Sequence, residues 1–271
     1  TAIFFSIPTF YDYKKYNLKI ENTINKEFKI NLHNLSNISF RFIPSPHLLI
    51  KKANLKIGEN EEELVSEIEN LKMFFSLVDF YKNDKFKIKF IKVKKANFYL
   101  NNLSLKNFIK NLKKNIVKEF IIEKSTLFFK DEKEEIILIS NIKNFNYKID
   151  LINNKKILKM IGNIFDTDYD FKYLIDYKNP NTQIIDLEFK NPNIKIENKL
   201  SQISYTNKNQ KGNLTIRFLN KKNSFNYKIE KSLISLNNEN LKNSNFDLNG
   251  LIDFHPFHFD LSLDLKKINL L

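Results

Sequence analysis

The stretch Phe257 to Leu265 reads FHFDLSLDL, and its alternation decides the fold class. Every second residue is apolar, namely Phe259, Leu261, Leu263 and Leu265. Aspartate and serine fill the positions between them. Because successive side chains of a strand point to opposite faces, this pattern predicts a strand with one apolar and one solvated face.

The same period of two recurs along most of the chain. Near the N-terminus it appears in Phe28 to Leu32, Ile38 to Phe42 and Leu48 to Ile57. From residue 120 onward it predicts strands at 120–129, 135–142, 145–151, 157–164, 171–177, 184–189, 194–197, 214–218, 225–229, 246–254 and 257–265. Short strands joined by Asn-, Lys- and Asp-rich turns are typical of antiparallel meanders.

Two segments carry helical spacing instead. Residues 11–27 place Tyr13, Tyr16, Ile20 and Ile24 three or four apart, which predicts an N-terminal helix. A second amphipathic helix is predicted over 104–119, with Ser104 as its N-cap. Residues 61–83 fit either a helix or a strand.

Composition bounds the function classes. The formal net charge is +14, yet only two residues are arginine, and abundant Lys and Asn indicate compositional bias more than a phosphate-binding surface. In residues 85–90 the alternation predicts Phe86, Ile88 and Phe90 on one face and the lysines on the other. Nucleic acid binding needs rings and charges on the same surface, so it is the weakest interpretation.

The residues also disfavour catalysis and metal binding. The chain contains no Cys and only four Gly, so thiolate sites and glycine-rich phosphate loops are excluded. His255 and His258 stand three apart around Pro256, and on a strand they point to opposite faces. The sequence therefore predicts a protein that is not an enzyme and that has no cofactor.

Several N-terminal motifs resemble those of the AsmA family of bridge-like lipid-transfer proteins. They are an apolar exit ending in Ile7-Pro8-Thr9, a helix leading into strands, and Phe42-Ile43-Pro44-Ser45-Pro46 followed by the strand 48–57. The segment 77–100 resembles the next block of that family, a leucine-bearing turn and then paired strands. The resemblance covers roughly residues 3–110. Beyond them the chain is similar only in being rich in β-strands, without specific motifs.

The resemblance implies a fold and a role. The expected fold is mainly β, an elongated and bent antiparallel sheet forming a U-shaped groove, in one continuous domain over residues 11–271. Residues 1–10 would end an anchor in the inner membrane of a Gram-negative bacterium, and the rest would lie in the periplasm. The partners implied are phospholipid, the inner membrane and other envelope proteins, in lipid transport to the outer membrane or its maintenance.

The alternation supplies candidates for the lining of such a groove. They are Phe86, Ile88, Phe90, Leu214, Ile216, Phe218, Phe225, Tyr227, Ile229, Phe259, Leu261, Leu263 and Leu265. Their apolar side chains are suited to acyl chains, since each buried CH₂ contributes about 0.8 kcal/mol. The alternative prediction is a two-sheet β-sandwich that acts as a non-enzymatic binding or scaffold module with a protein partner.

Overall fold

A computed structural model of the chain describes most of the sequence. The described residues are 16–28, 31–43, 45–56, 64–76, 87–113, 118–131, 133–176, 178, 182–202, 209–218, 221–230, 233–237, 246–254 and 257–265. The predicted anchor end at residues 1–10 and the first residues of the predicted N-terminal helix lie outside them. The predicted continuous domain over 11–271 stays a prediction.

The described strands form one fifteen-stranded sheet in which neighbours follow chain order. The strands are β1 (Asn31–Arg41), β2 (His47–Lys56), β3 (Leu64–Phe75), β4 (Ile88–Leu100), β5 (Phe120–Lys130), β6 (Ile136–Asp150), β7 (Lys155–Ile164), β8 (Thr167–Asp176), β9 (Gln183–Phe189), β10 (Ile194–Gln202), β11 (Gln210–Phe218), β12 (Lys221–Glu230), β13 (Leu233–Asn237), β14 (Phe246–Phe254) and β15 (Phe257–Leu265). The prediction of a mainly β fold built on one antiparallel sheet is confirmed. The described strands do not form the two separate sheets of the sandwich alternative.

Two helices accompany the sheet, as predicted: α1 spans Asn17–Phe28 and α2 spans Asn102–Lys113. The predicted N-cap of α2 was wrong by one turn. Asn101 is the cap, since its Oδ1 accepts from Ser104 N at 2.9 Å while its own N donates to Ser104 Oγ at 2.8 Å. This reciprocal pair satisfies two backbone donors, with Ser104 as its inner member.

One strand pair departs from the antiparallel pattern. β4 and β5 are parallel, with Ile91 opposite Phe120 and Leu100 opposite Phe129. Parallel neighbours need a long crossover connection, and α2 supplies it. The ambiguous segment 61–83 contains β3, which pairs with β2 and β4.

The chain divides into two compact units, of which unit 1 comprises residues 1–149 and 159–166. Its apolar residues line up across the strands. One row runs Leu48, Met73, Ile91, Phe120 and Tyr147, each opposite the next. A parallel row runs Ile50, Leu71, Val93, Ile122 and Phe145. All of these residues except the half-buried Phe120 are buried, so the two rows form the core of unit 1.

Both helices contribute apolar side chains that pack on this core. Ile20, Ile24 and Phe28 of α1 are almost completely buried. Asn25 of α1 also bonds the backbone of Leu32 in the edge strand β1, donating to its O at 3.2 Å and accepting from its N at 2.7 Å. These two bonds occupy backbone groups that an edge strand would otherwise leave unpaired. From α2, the ring of Phe108 meets that of Phe120 edge to face at 6.4 Å.

The alternation of unit 1 shifts phase within its strands. Val93 and Ala96 of β4 are both buried although they lie three residues apart, and so are Ile122 and Ser125 of β5. Positions three apart on a regular strand point to opposite faces. Lys95 and Lys124 adopt positive φ angles of 59° and 48° between these residues. This local left-handed turn keeps both halves of each strand in the core.

Unit 2 comprises residues 150–158 and 167–271. From β8 to β15, each strand pairs in antiparallel fashion with the strand that follows it in the chain. Among the described residues, both helices belong to unit 1, and unit 2 consists of strands and turns. The described part of unit 2 therefore contains no helix that could cover an apolar face of its sheet.

Candidate functional site

Antiparallel pairing aligns the apolar residues of unit 2 in rows. Phe189, Ile194 and Phe218 of β9, β10 and β11 stand opposite one another, and so do Leu187, Ile196 and Ile216. Directly opposite residues project from the same face of a sheet. The register therefore places these six side chains on one surface.

We call this surface the apolar face of unit 2. Its members share one face by register and are Tyr169, Phe171, Tyr173, Ile175, Ile185, Leu187, Phe189, Ile194, Ile196, Leu200, Leu214, Ile216, Phe218, Phe225, Tyr227, Ile229, Ile234, Leu236, Ile252 and Leu261. Among the described strand residues, one charged residue shares this face by register: Lys221, which is opposite Phe218 at the start of β12.

The apolar face is partly open to solvent. Tyr169, Tyr173 and Phe225 are buried, but Phe218 remains 47% exposed and Leu261 43% exposed. Most of the other members are half-buried. In unit 1 helices pack on the core, whereas no helix belongs to the described part of unit 2. The face thus presents a largely apolar surface, interrupted by Gln183, Asn198 and Asn223, to whatever lies next to it.

The phenols on the apolar face are neutral and hydrogen-bonded. Tyr173 donates to Gln183 Oε1 at 2.7 Å, and burial raises its pKa to about 12. Tyr227 donates to Asn198 Oδ1 at 2.7 Å, and burial raises its pKa as well, against the opposing effect of this bond. Both hydroxyls therefore stay protonated at neutral pH, and both donate their hydrogen bonds to side chains of the same sheet. The surface they leave is the apolar part of each ring.

The opposite face of the same strands is charged. Glu197 lies 3.1 Å from Lys195 Nζ and 3.4 Å from Arg217 Nη2. The hydrogen bond from Lys195, reinforced by the charges of Arg217 and Lys222, lowers the pKa of Glu197. Charged side chains thus lie mainly on one face of unit 2 and apolar side chains mainly on the other.

The structure brings together six of the predicted groove residues. Leu214, Ile216 and Phe218 of β11 and Phe225, Tyr227 and Ile229 of β12 all belong to the apolar face. Leu261 joins them, and the backbone of β15 pairs Phe259, Leu263 and Leu265 with Ile252, Leu248 and Phe246 of β14. That these residues line a lipid groove stays a prediction.

The predicted residues near the start of β4 behave differently. Phe86 lies outside the described residues. Ile88 is opposite Phe75 and is buried in unit 1, whereas Phe90 is opposite Phe74 and stacks on its ring at 4.3 Å. Since Phe74 and Phe75 are neighbours on one strand, Ile88 and Phe90 point to opposite faces. The prediction that they share a face was wrong because the register shifts by one residue between them.

Sequence reasoning named too few residues on the apolar face. Strands β8, β9 and β10 contribute as much of it as β11 and β12, and none of their residues was a candidate. Tyr169, Phe171, Tyr173 and Ile175 alternate as regularly as the residues of β15. The period of two in this segment was therefore a sufficient signal.

The described residues offer little for metal or covalent chemistry. No group of three or more His, Asp or Glu residues among them is close enough to hold a metal ion. None of the helices in the described ranges combines the length and apolarity needed to cross a bilayer. No model of a known protein family matches the chain, and no curated protein matches it.

Proposed function

We propose that this protein holds or conducts the acyl chains of phospholipids on the apolar face of unit 2. In this proposal it is the periplasmic part of an AsmA-like protein anchored in the inner membrane, and it serves lipid transport to the outer membrane or its maintenance. The observation that supports the proposal most directly is an apolar surface on eight consecutive strands, with no helix among the described residues of its unit.

The size of the face suits a long apolar ligand. Neighbouring strands lie about 4.8 Å apart, so the seven intervals from β8 to β15 give roughly 34 Å measured along the sheet. Each methylene removed from water contributes about 0.8 kcal/mol, and ten methylenes therefore contribute about 8 kcal/mol before the entropic costs of binding. Contacts of this kind need no catalytic group and no single dominant residue.

Two neighbouring positions of β15 allow a matched test of the proposal. Leu261 is 43% exposed on the apolar face, and Ser262 is exposed on the opposite face. Leu261→Asp and Ser262→Asp therefore introduce the same charge at adjacent exposed positions, one on each face. Both variants should fold, because neither side chain is buried in the native protein.

The experiment compares the lipid that each protein carries. The wild-type chain and the two variants are purified in parallel, measured by native mass spectrometry, and extracted with organic solvent for lipid analysis. We expect co-purifying phospholipid in the wild type and in Ser262→Asp, and a large loss in Leu261→Asp. Adding Phe218→Asp to Leu261→Asp in one chain should deepen that loss.

A lipid-free, monodisperse wild-type protein would refute the proposal. Equal lipid content in the variants of the two faces would also refute it, because the charge on the apolar face would then have no effect. The first result would favour a module that binds a protein partner.

A further inference from the structure

Unit 2 contains a concavity of about 630 Å³, lined mostly by residues of its charged face and in part by Gly212, Tyr227, Leu236 and Gly250, whose register is that of the apolar face. It spans strands β10 to β14. Its lining residues are Lys199, Ser201, Lys211, Gly212, Asn213, Asn226, Tyr227, Lys228, Ser235, Leu236, Gly250 and Leu251. Three of them are lysines, and none is an aspartate or a glutamate.

The lysines are held close together by strand pairing. Lys211 is directly opposite Lys228, and Lys199 is opposite Asn213, two residues from Lys211 on the same face. Directly opposite side chains begin about 5 Å apart and diagonal ones about 7 to 8 Å apart. Like charges in such positions repel each other, so this arrangement costs stability unless an anion offsets it.

The described residues do not supply that anion. The structure gives no ion pair to any of the three ammonium groups within its described part, where Glu197 is engaged by Lys195 and Arg217. All three lysines are exposed and are free to turn toward a ligand. No described carboxylate forms an ion pair with these three ammonium groups, and Glu230 is the described carboxylate nearest to Lys228 along β12, two residues away on the same face.

The neutral groups of the concavity also favour an acceptor ligand. Asn213 Nδ2 donates a hydrogen bond to Asn226 Oδ1 at 2.9 Å. This bond occupies the side-chain acceptor of Asn226, and the two amide hydrogens of Asn226 are directed elsewhere. Ser235 adds a hydroxyl from β13. Amide and hydroxyl donors beside ammonium groups are the chemistry that binds phosphate oxygens.

We propose that this concavity is a binding site for a phosphate-bearing anion, with Lys199, Lys211 and Lys228 as its cationic ligands. The phosphate is carried either by a free soluble ion or by the headgroup of a lipid at a membrane surface. Its three lysines belong by register to the face opposite the apolar one, so substituting them leaves the side chains of the apolar face unchanged.

The test removes two charges inside or outside the concavity. Lys211→Gln/Lys228→Gln removes the opposed pair, and Arg217→Gln/Lys222→Gln removes another directly opposed pair of exposed cations, at the other end of β11 and β12 on the same face but outside the concavity. One arm titrates inorganic phosphate and follows the line width of its ³¹P resonance. The other measures flotation with vesicles of phosphatidylcholine, with or without phosphatidylglycerol.

We expect the wild type to bind at least one probe, and the Lys211/Lys228 variant to bind it about tenfold or more weakly, because charge-assisted hydrogen bonds are lost. The Arg217/Lys222 variant should bind like the wild type. Binding of inorganic phosphate identifies a soluble ligand, and binding to phosphatidylglycerol vesicles alone identifies a headgroup.

Two results would overturn the proposal: no binding of either probe by the wild type, or equal losses in the two double variants. The lipid that co-purifies with Lys211→Gln/Lys228→Gln reports separately on the apolar face, which this variant leaves intact.

Discussion

Gly212→Ala should destabilise unit 2 through a single side-chain clash. A Cβ atom at residue 212 would lie 2.2 Å from Tyr227 Cζ and 2.3 Å from its hydroxyl oxygen. Real Cβ atoms essentially never approach other heavy atoms this closely, so the ring of Tyr227 must move. Its movement breaks the 2.7 Å hydrogen bond to Asn198.

The magnitude follows from three contributions. Loss of a hydrogen bond costs about 0.5–1.5 kcal/mol, and forcing an extra methyl into a packed site costs about 1–3 kcal/mol. Against these, replacing glycine by alanine within a strand favours folding by roughly 0.5–1 kcal/mol. We therefore expect a net destabilisation of about 0.5–4 kcal/mol.

A double-mutant cycle with Tyr227→Ala isolates the clash. Urea unfolding followed by far-UV circular dichroism gives the free energy of unfolding for the wild type, the two single variants and the double variant. Without the Tyr227 ring, Gly212→Ala should be neutral or stabilising. An equal cost in both backgrounds would refute the reasoning, because the loss would then not come from contact with Tyr227.

Three further predictions concern other parts of the chain. Asn101→Ala should destabilise unit 1 by about 1 kcal/mol, measured by urea unfolding, because it removes the cap that bonds Ser104 N; an unchanged midpoint would contradict the assignment of the cap. Lys228→Glu should raise the melting temperature, since an opposite charge facing Lys211 contributes about 0.2–1 kcal/mol; a lower value would contradict the repulsion inferred there. Burial lowers the pKa of His47 from its ordinary 6.5, so stability should fall as the pH drops from 6.5 toward that lower value, and His47→Gln should flatten the melting temperature between pH 5 and 7.5; a parallel fall in both proteins would exclude His47 as the cause.

The regular parts of the fold could be predicted from local pattern. Ile20 and Ile24 stand four apart, and both are buried on one side of α1 as helical spacing requires. In β11 and β12 the alternating residues from Leu214 to Ile229 reach one face as a period of two requires. These predictions succeeded because the side-chain direction in a regular helix or strand depends only on position along the element.

The prediction failed where one residue interrupts the period. The left-handed conformation at Lys95 and Lys124 and the register shift between Ile88 and Phe90 each reverse which face the later residues occupy. Lysine has no preference for positive φ that would mark such a site in the sequence. Only pairing with the neighbouring strands holds these residues there.

The sequence by itself determined the class of the protein: a β-rich chain with two amphipathic helices and strands that separate apolar from charged residues. The tertiary structure alone decided which strands are parallel, where the alternation changes phase, and that Lys199, Lys211 and Lys228 meet in one concavity. The physical reason is the range of the interactions. Periodicity is set by backbone geometry over a few residues, whereas register depends on contacts between strands that are distant in sequence.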